Sequence, residues 1–308
     1  MKLLKEIKSI IFFFILISLM FCQDSDDNYI ENYRCGEYDI EPIIVPDENI
    51  IPISPNYKRT LDNTDQEEFK DFNIYLDLQN FDDEVQQYNL DDKRDIFVNG
   101  MEKAVNTLKT LLKVKKIKNN YKFTDEKIIG LDINRWDNTK IGNNTGGKGF
   151  VEIGIDLFIF VRFGDNQEMG NSTLASAGAR FLNKDGQPLI GVVNINRDVD
   201  YSKANSQQYF ESIIIHEFTH ILGFSKNFFN KYFNNTMTKL DSFGIQRTYI
   251  NSSKVLEVAK KYFNCEEIEG VELEESGGDG TAGSHWEARI LLGDYMNGVV
   301  FTSEQVIS

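Results

Sequence analysis

The chain has 308 residues, 41% of them apolar and including 23 Phe and 13 Tyr, which is ample for the core of one large domain or two smaller ones. Its 48 acids against 33 bases leave a net charge of −15, which excludes phosphate-backbone binding as its purpose. Three cysteines are too few for a disulfide framework.

In chain order, Lys2, Lys5 and Lys8 precede an apolar run from Ile10 to Phe21. That run is too short to span a bilayer and suits the core of a signal peptide over residues 1–22. Cleavage after Cys22 is expected; lipid attachment at Cys22 is the weaker alternative because bulky Phe21 precedes it. The chain is therefore read as entering the secretory pathway, to become extracellular or cell-surface-associated. No hydrophobic tail of the lipid-anchor type is visible at the C-terminus, and membrane association stays open.

Residues 23–71 form a compositionally distinct, acidic segment. It holds fourteen acids against Arg34, Lys58, Arg59 and Lys70, and four of the five prolines. High charge and clustered proline argue for an extended segment without a core of its own. Residues 72–223 read as the first part of an ordered body. The run Phe72–Leu78 alternates as a half-buried strand, and Asp91–Leu112 has apolar residues at helical spacing. The almost wholly apolar stretch Ile153–Phe163 reads as a central strand. Two further strands, Leu174–Leu182 and Leu189–Ile195, are joined by a Lys184-Asp185-Gly186 turn. A helix over Ser206–Leu222 is apolar nearly all round, so it must be buried, and Gly223 ends it. Residues 224–308 read as a smaller, irregular C-terminal part, with a flexible glycine-rich approach at residues 276–283.

All three histidines fall where a zinc site would need them. His216 and His220 lie four apart in His216-Glu217-Phe218-Thr219-His220, so one helix face presents both to a single ion. Glu217 then faces the open coordination position, where a carboxylate can take a proton from an attacking water. His285, 65 residues after His220, supplies the third imidazole. A buried helix carrying two histidines and a glutamate needs a partner for them, and one Zn2+ per chain meets that need. Two readings of residues 23–71 stay open, a plain linker and a pro-region lying across the site. Two fates of Cys35 stay open as well: inhibitory thiolate on the metal in a latent zymogen, or a disulfide to Cys265.

The segments His216–Phe224 and Gly280–Glu287 together resemble the leishmanolysin-like (invadolysin-like) metallopeptidases of the metzincin clan. In that family a long insertion displaces the third histidine, and here Lys226 stands where the short metzincin pattern would place one. The resemblance implies an α/β (α+β metzincin-like) fold, with a twisted mixed sheet over two helices and a cleft above a short C-terminal subdomain. It implies a Met-turn at Met296, an apolar floor beneath the metal. It also implies a cleft-edge strand around Ala177, Gly178 and Ala179 that pairs with extended substrate, an ordinary inner strand being the alternative. Similarity covers residues 72–308, specific in its two metal motifs and diffuse elsewhere. Three departures stand out: fewer cysteines, no histidines flanking Cys35, and an end at Ser308, twelve residues past Met296, which reads as truncation or as a minimal form.

The expected function is that of a secreted, monomeric zinc endopeptidase acting on protein or peptide substrates, with no nucleic-acid partner. The alternative is a catalytically inactive or truncated protein that acts by binding, as in adhesion.

Overall fold

The computed structural model describes residues 33–37, 41–45, 50–51, 69–115, 120–122, 150–151, 155–199, 201, 206–233, 235–278, 280–291 and 293–300. The expectations for residues 1–22, including the leader and Cys22, lie outside them.

In chain order the strands are β1 (Tyr33–Glu37), β2 (Ile43–Ile44), β3 (Ile50–Ile51), β4 (Phe69–Asp71), β5 (Ile74–Asp77), β6 (Lys113–Lys115), β7 (Asn120–Lys122) and β8 (Phe150–Val151). They continue as β9 (Leu157–Gly164), β10 (Thr173–Leu182), β11 (Pro188–Asn196), β12 (Thr236–Leu240), β13 (Gln246–Ile250), β14 (Val271–Glu272) and β15 (Val299–Val300). The helices are α1 (Gln79–Gln87), α2 (Arg94–Leu111), α3 (Asn166–Met169), α4 (Ser206–Ile221) and α5 (Ser253–Tyr262), with a π-helical turn at Phe228–Phe233.

The main sheet has the order β15-β1-β10-β11-β9-β5, with β2 also paired to β10. It is mixed: β5 and β11 run parallel to β9, whereas β10 runs antiparallel to β11. A strand flanked on both sides has no edge to solvate, which suits β9, buried at seven of its eight positions. Residues Leu157, Ile159 and Val161 of β9, Val193 and Ile195 of β11, and Ala175 and Ala177 of β10 share one core cluster with α2 and α4. That face of the sheet therefore carries the helix layer, and the fold is the α+β, metzincin-like arrangement expected from the resemblance.

Helix α2 packs against α4, and α4 lies along β10 and β11. The junction is aromatic. Phe97 of α2 stands 4.9 Å from Phe210 of α4, 5.3 Å from Tyr201 and 5.4 Å from Phe163, centroid to centroid. At the other end of α4 the approach to the sheet is closer still. A Cβ on Gly191 of β11 would lie 2.5 Å from Ile221 Cγ2, so only glycine lets the last turn of α4 settle there.

Paired strands extend upstream of Phe72, to β4 beside β6 and to β1 and β2 in the main sheet. Strand β4 pairs with β6, and Lys70 makes a 2.7 Å ion pair with buried Asp156 at the foot of β9. The C-terminal part is more regular than expected. Strands β12, β13 and β14 form a three-stranded antiparallel sheet, and α5 follows an N-cap in which Ser252 accepts from Val255 N–H. Alternation in Thr236–Leu240 and Gln246–Ile250 is weak because both strands are largely solvated. Their turn is set by Asp241, whose Oδ1 accepts from the amides of Phe243 and Ile245.

Candidate metal centre

Helix α4 places His216 and His220 one turn apart, both almost fully buried. Each ring is oriented from its far side by a main-chain carbonyl. Nδ1–H of His216 donates to Tyr295 O at 2.6 Å, and Nδ1–H of His220 donates to Phe224 O at 2.7 Å. A carbonyl can only accept, so the proton sits on Nδ1 in both rings and Nε2 keeps a free lone pair. The Phe224 carbonyl reaches back because Gly223 adopts φ +113°, a conformation that turns the chain off the helix. Amides of Gly223 and Phe224 close this terminus onto the carbonyls of His220 and Thr219.

His285 arrives from the insertion. Leu273, next to β14, bridges Trp286, and the chain beside it continues the pairing: Glu274 N–H donates to His285 O and Gly283 N–H to Glu274 O. The glycine-rich approach is thus a hydrogen-bonded loop carried by the small sheet, where flexibility was expected. The Glu274 carboxylate adds to this, accepting from Ser276 N and Oγ and, at 3.4 Å, from Ala288 N. Nδ1–H of His285 donates to Thr281 O at 3.0 Å, which again leaves its Nε2 a bare acceptor.

The three Nε2 atoms form a nearly equilateral triangle with edges of 3.0, 3.1 and 3.1 Å. None of the three can donate to another, so their lone pairs face one another. Leaving one buried acceptor unmet costs about 1–3 kcal/mol, and three together would take a large share of the 5–15 kcal/mol by which a domain is typically stable. A cation at the point of convergence removes that cost. Electrostatics agree. Burial, and then the neighbouring His285, lower the pKa of His216 to about 3; burial lowers that of His285 to about 4; burial and the two neighbouring rings push His220 the same way. All three imidazoles are therefore neutral at physiological pH, the form that ligates a metal. Among the described residues this is the group of His, Cys, Asp or Glu side chains close enough together to hold an ion.

The other expected site residues lie on elements of the same body. Glu217 is fully buried on α4, next to His216. Met296 is fully buried, and its carbonyl accepts from Trp286 N–H at 3.0 Å, which ties its turn to the His285 loop. Ala177, Gly178 and Ala179 lie on β10, whose outer edge is taken by the N-terminal segment. Strand β1 runs parallel to β10 with Cys35 opposite Ala175 and Glu37 opposite Ala177, and β2 pairs at Phe181 and Leu182. The Cys35 side chain lies outside the described residues. Cys265 carries a free, exposed thiol, so the alternative of a Cys35–Cys265 bridge does not hold. Sequence reasoning missed the three carbonyl acceptors, of Tyr295, Phe224 and Thr281, because a main-chain oxygen leaves no trace in residue type.

The family model described as Peptidase_M8: Leishmanolysin matches residues 84–304, a span that includes all three histidines of the triangle. The chain belongs to the leishmanolysin family. Among its relatives, a leishmanolysin homolog from Crithidia fasciculata is 32% identical over 118 residues, 37% of this chain and 17% of that protein. Leishmanolysin from Leishmania major is 30% identical over 202 residues, covering 64% of the chain and 31% of the relative. The ciliated left-right organizer metallopeptidase of Danio rerio is 30% identical over 163 residues, 49% and 26% of the two chains. The match thus spans less than a third of the length of each of these relatives. Membership implies a metal, and the donor set of three neutral imidazoles fits one. No helix among the described residues is long and apolar enough to cross a membrane.

Proposed function

We propose that the chain is a secreted zinc endopeptidase that cleaves protein or peptide substrates, with His216, His220 and His285 holding one zinc ion and Glu217 acting as general base. The observation that carries the reading is the triangle of Nε2 lone pairs, each set by a carbonyl behind its ring. Three nitrogens with a fourth position left to solvent or substrate is the donor set of a catalytic site, since a structural zinc site is closed by four protein ligands. Bound there, zinc supplies Lewis acidity that polarises a scissile carbonyl and acidifies an attacking water toward a pKa of roughly 7. Glu217 takes the proton of that water and returns it to the leaving amine. Met296 closes the site from the side of the His285 loop, and Gly223 turns the chain so that Phe224 can orient His220.

The same reading gives the N-terminal segment a role. Strands β1 and β2 lie along β10 on either side of the span where the extended substrate would pair, with β1 between β10 and β15 and in contact with α4. They act as a pro-region that must leave before Ala177, Gly178 and Ala179 can meet substrate, and Cys35 is its thiolate ligand. Secretion and a location outside the cell or at its surface complete the proposal, supported by the signal-like sequence of residues 1–22.

Zinc content and caseinolytic activity of the purified protein, measured beside Glu217→Ala and with a chelator, test it. One equivalent of zinc in both proteins, with chelator-sensitive proteolysis only in the unaltered one after release of the N-terminal segment, is the expected result. Zinc without activity in either would instead indicate a binding protein, and absence of zinc would sink the site.

A further inference from the structure

Thr281 is gripped between two glycines from different parts of the chain. A Cβ at Gly277 would come within 2.8 Å of Thr281 Cγ2 and 2.9 Å of its Cβ, and a Cβ at Gly298 would overlap the same Cγ2 methyl. Gly277 belongs to the loop before His285, whereas Gly298 lies two residues past Met296 and directly before β15. Gly277 also has a left-handed φ of +92°, but Gly298 does not, so close approach alone demands glycine at 298. The Thr281 side chain is 5% exposed and fills the gap between them.

This wedge bears on the third imidazole. The Thr281 carbonyl accepts from His285 Nδ1–H at 3.0 Å, and it is held by Ser284, which donates from N at 3.3 Å and from Oγ at 3.1 Å. A Cβ at Gly298 would also stand 3.4 Å from His285 Cγ and 3.5 Å from Nδ1, so the ring rests against that bare Cα. Displacing Thr281 by a few tenths of an ångström tilts the acceptor that sets the ring, and ligand orientation through such outer partners controls metal affinity.

We propose that Thr281 and Gly298 form a positioning pair for His285: the methyl of Thr281, seated in the space that glycine leaves at 298, fixes the carbonyl that aims the third metal ligand. The inference rests on the metal reading of the triangle and adds residues that bear neither a ligand nor a proton in the reaction. It couples the segment after Met296 to the metal through one methyl-sized contact.

A double-substitution cycle on the full chain tests it, read by zinc affinity in chelator competition and by the visible absorption of the Co2+-loaded protein. Gly298→Ala is expected to weaken zinc binding by about tenfold or more and to alter the Co2+ spectrum. Thr281→Ser removes only the methyl in the way. In that background Gly298→Ala should cost less than about threefold, with the spectrum restored. An equal loss in both backgrounds, or no loss in either, would overturn the pairing. Should Gly298→Ala fail to fold, Thr281→Val and Thr281→Gly decide the matter. The valine keeps the shape of the wedge and should hold zinc at least about tenfold more tightly than the glycine; equal affinities would overturn the proposal. The unaltered chain separates the two readings: if it binds no zinc, the metal site itself falls, whereas zinc binding without coupling sinks the positioning pair alone.

Discussion

The protonation of three rings governs how the metal-free protein responds to acid. In the unfolded chain each histidine titrates near 6.5, while in the fold burial lowers His216 to about 3 and His285 to about 4. The unfolded state therefore binds more protons on acidification, so the stability conferred by neutral rings is fully present above about pH 6.5 and is lost as pH falls through the folded values. The stability of the metal-free protein is expected to fall steadily from about pH 7 to about pH 5, by up to about 1.4 kcal/mol per ring and pH unit, and its melting temperature with it. Thermal melts of the chelated protein check this, and a flat profile would contradict the burial of the rings. Gly223 is the other residue-scale test. Its φ of +113° is costly for any side chain, so Gly223→Ala should destabilise by about 1–2 kcal/mol and weaken metal binding about tenfold by moving the Phe224 carbonyl off His220. Chemical denaturation and chelator competition measure the two effects separately.

Helix α4 carries two of the three histidines, so whatever seats α4 sets the triangle. Its two ends are held by different devices, aromatic stacking on α2 and bare backbone on β11. Phe97→Ala opens a cavity among Phe81, Phe163, Tyr201 and Phe210, and a loss of about 3–5 kcal/mol is expected in denaturant unfolding. Gly191→Ala does the opposite and overpacks the last turn of α4 against β11. About 1–3 kcal/mol should be lost, together with part of the metal affinity, since His220 sits next to Ile221. Strands β5, β9, β10 and β11 and helices α2 and α4 were all legible from periodicity, because each has a strong apolar pattern and a long run. Helix α1 and the β12–β13 hairpin were not. The hairpin is mostly solvated, and α1 has just two apolar residues, Phe81 and Val85, in a stretch dominated by Gln and Asp.

At the scale of the molecule, the main sheet and the small insertion sheet converge on one point, and a metal held there would tie them together. Removing it should lower the melting temperature by about 10 °C near neutral pH, since a ligand at a thousand times its dissociation constant contributes about 4 kcal/mol. A differential scan with and without chelator reads this directly; an unchanged transition would mean that the triangle holds no ion. The N-terminal segment gives a second test at this scale. With β1 lying between β10 and β15, a synthetic peptide of residues 30–45 should inhibit protein from which the segment has been removed, and Cys35→Ala in that peptide should weaken inhibition by about tenfold or more. Equal inhibition by the two peptides would remove Cys35 from the mechanism.

The chemistry of the centre was readable in the chain itself. Histidines four apart on a predicted helix, a glutamate beside the first and a glycine three past the second fix their relation by helix geometry alone, without reference to the rest of the fold. What needed tertiary structure was everything set across distance. The 65 residues between His220 and His285 could close in many ways, and only the pairing of β14 with β13, extended through Leu273 and Glu274, brings the third ring to the other two. The carbonyls of Tyr295, Phe224 and Thr281 were invisible for the same reason: a main-chain oxygen is common to every residue, so its role is decided by where the chain passes.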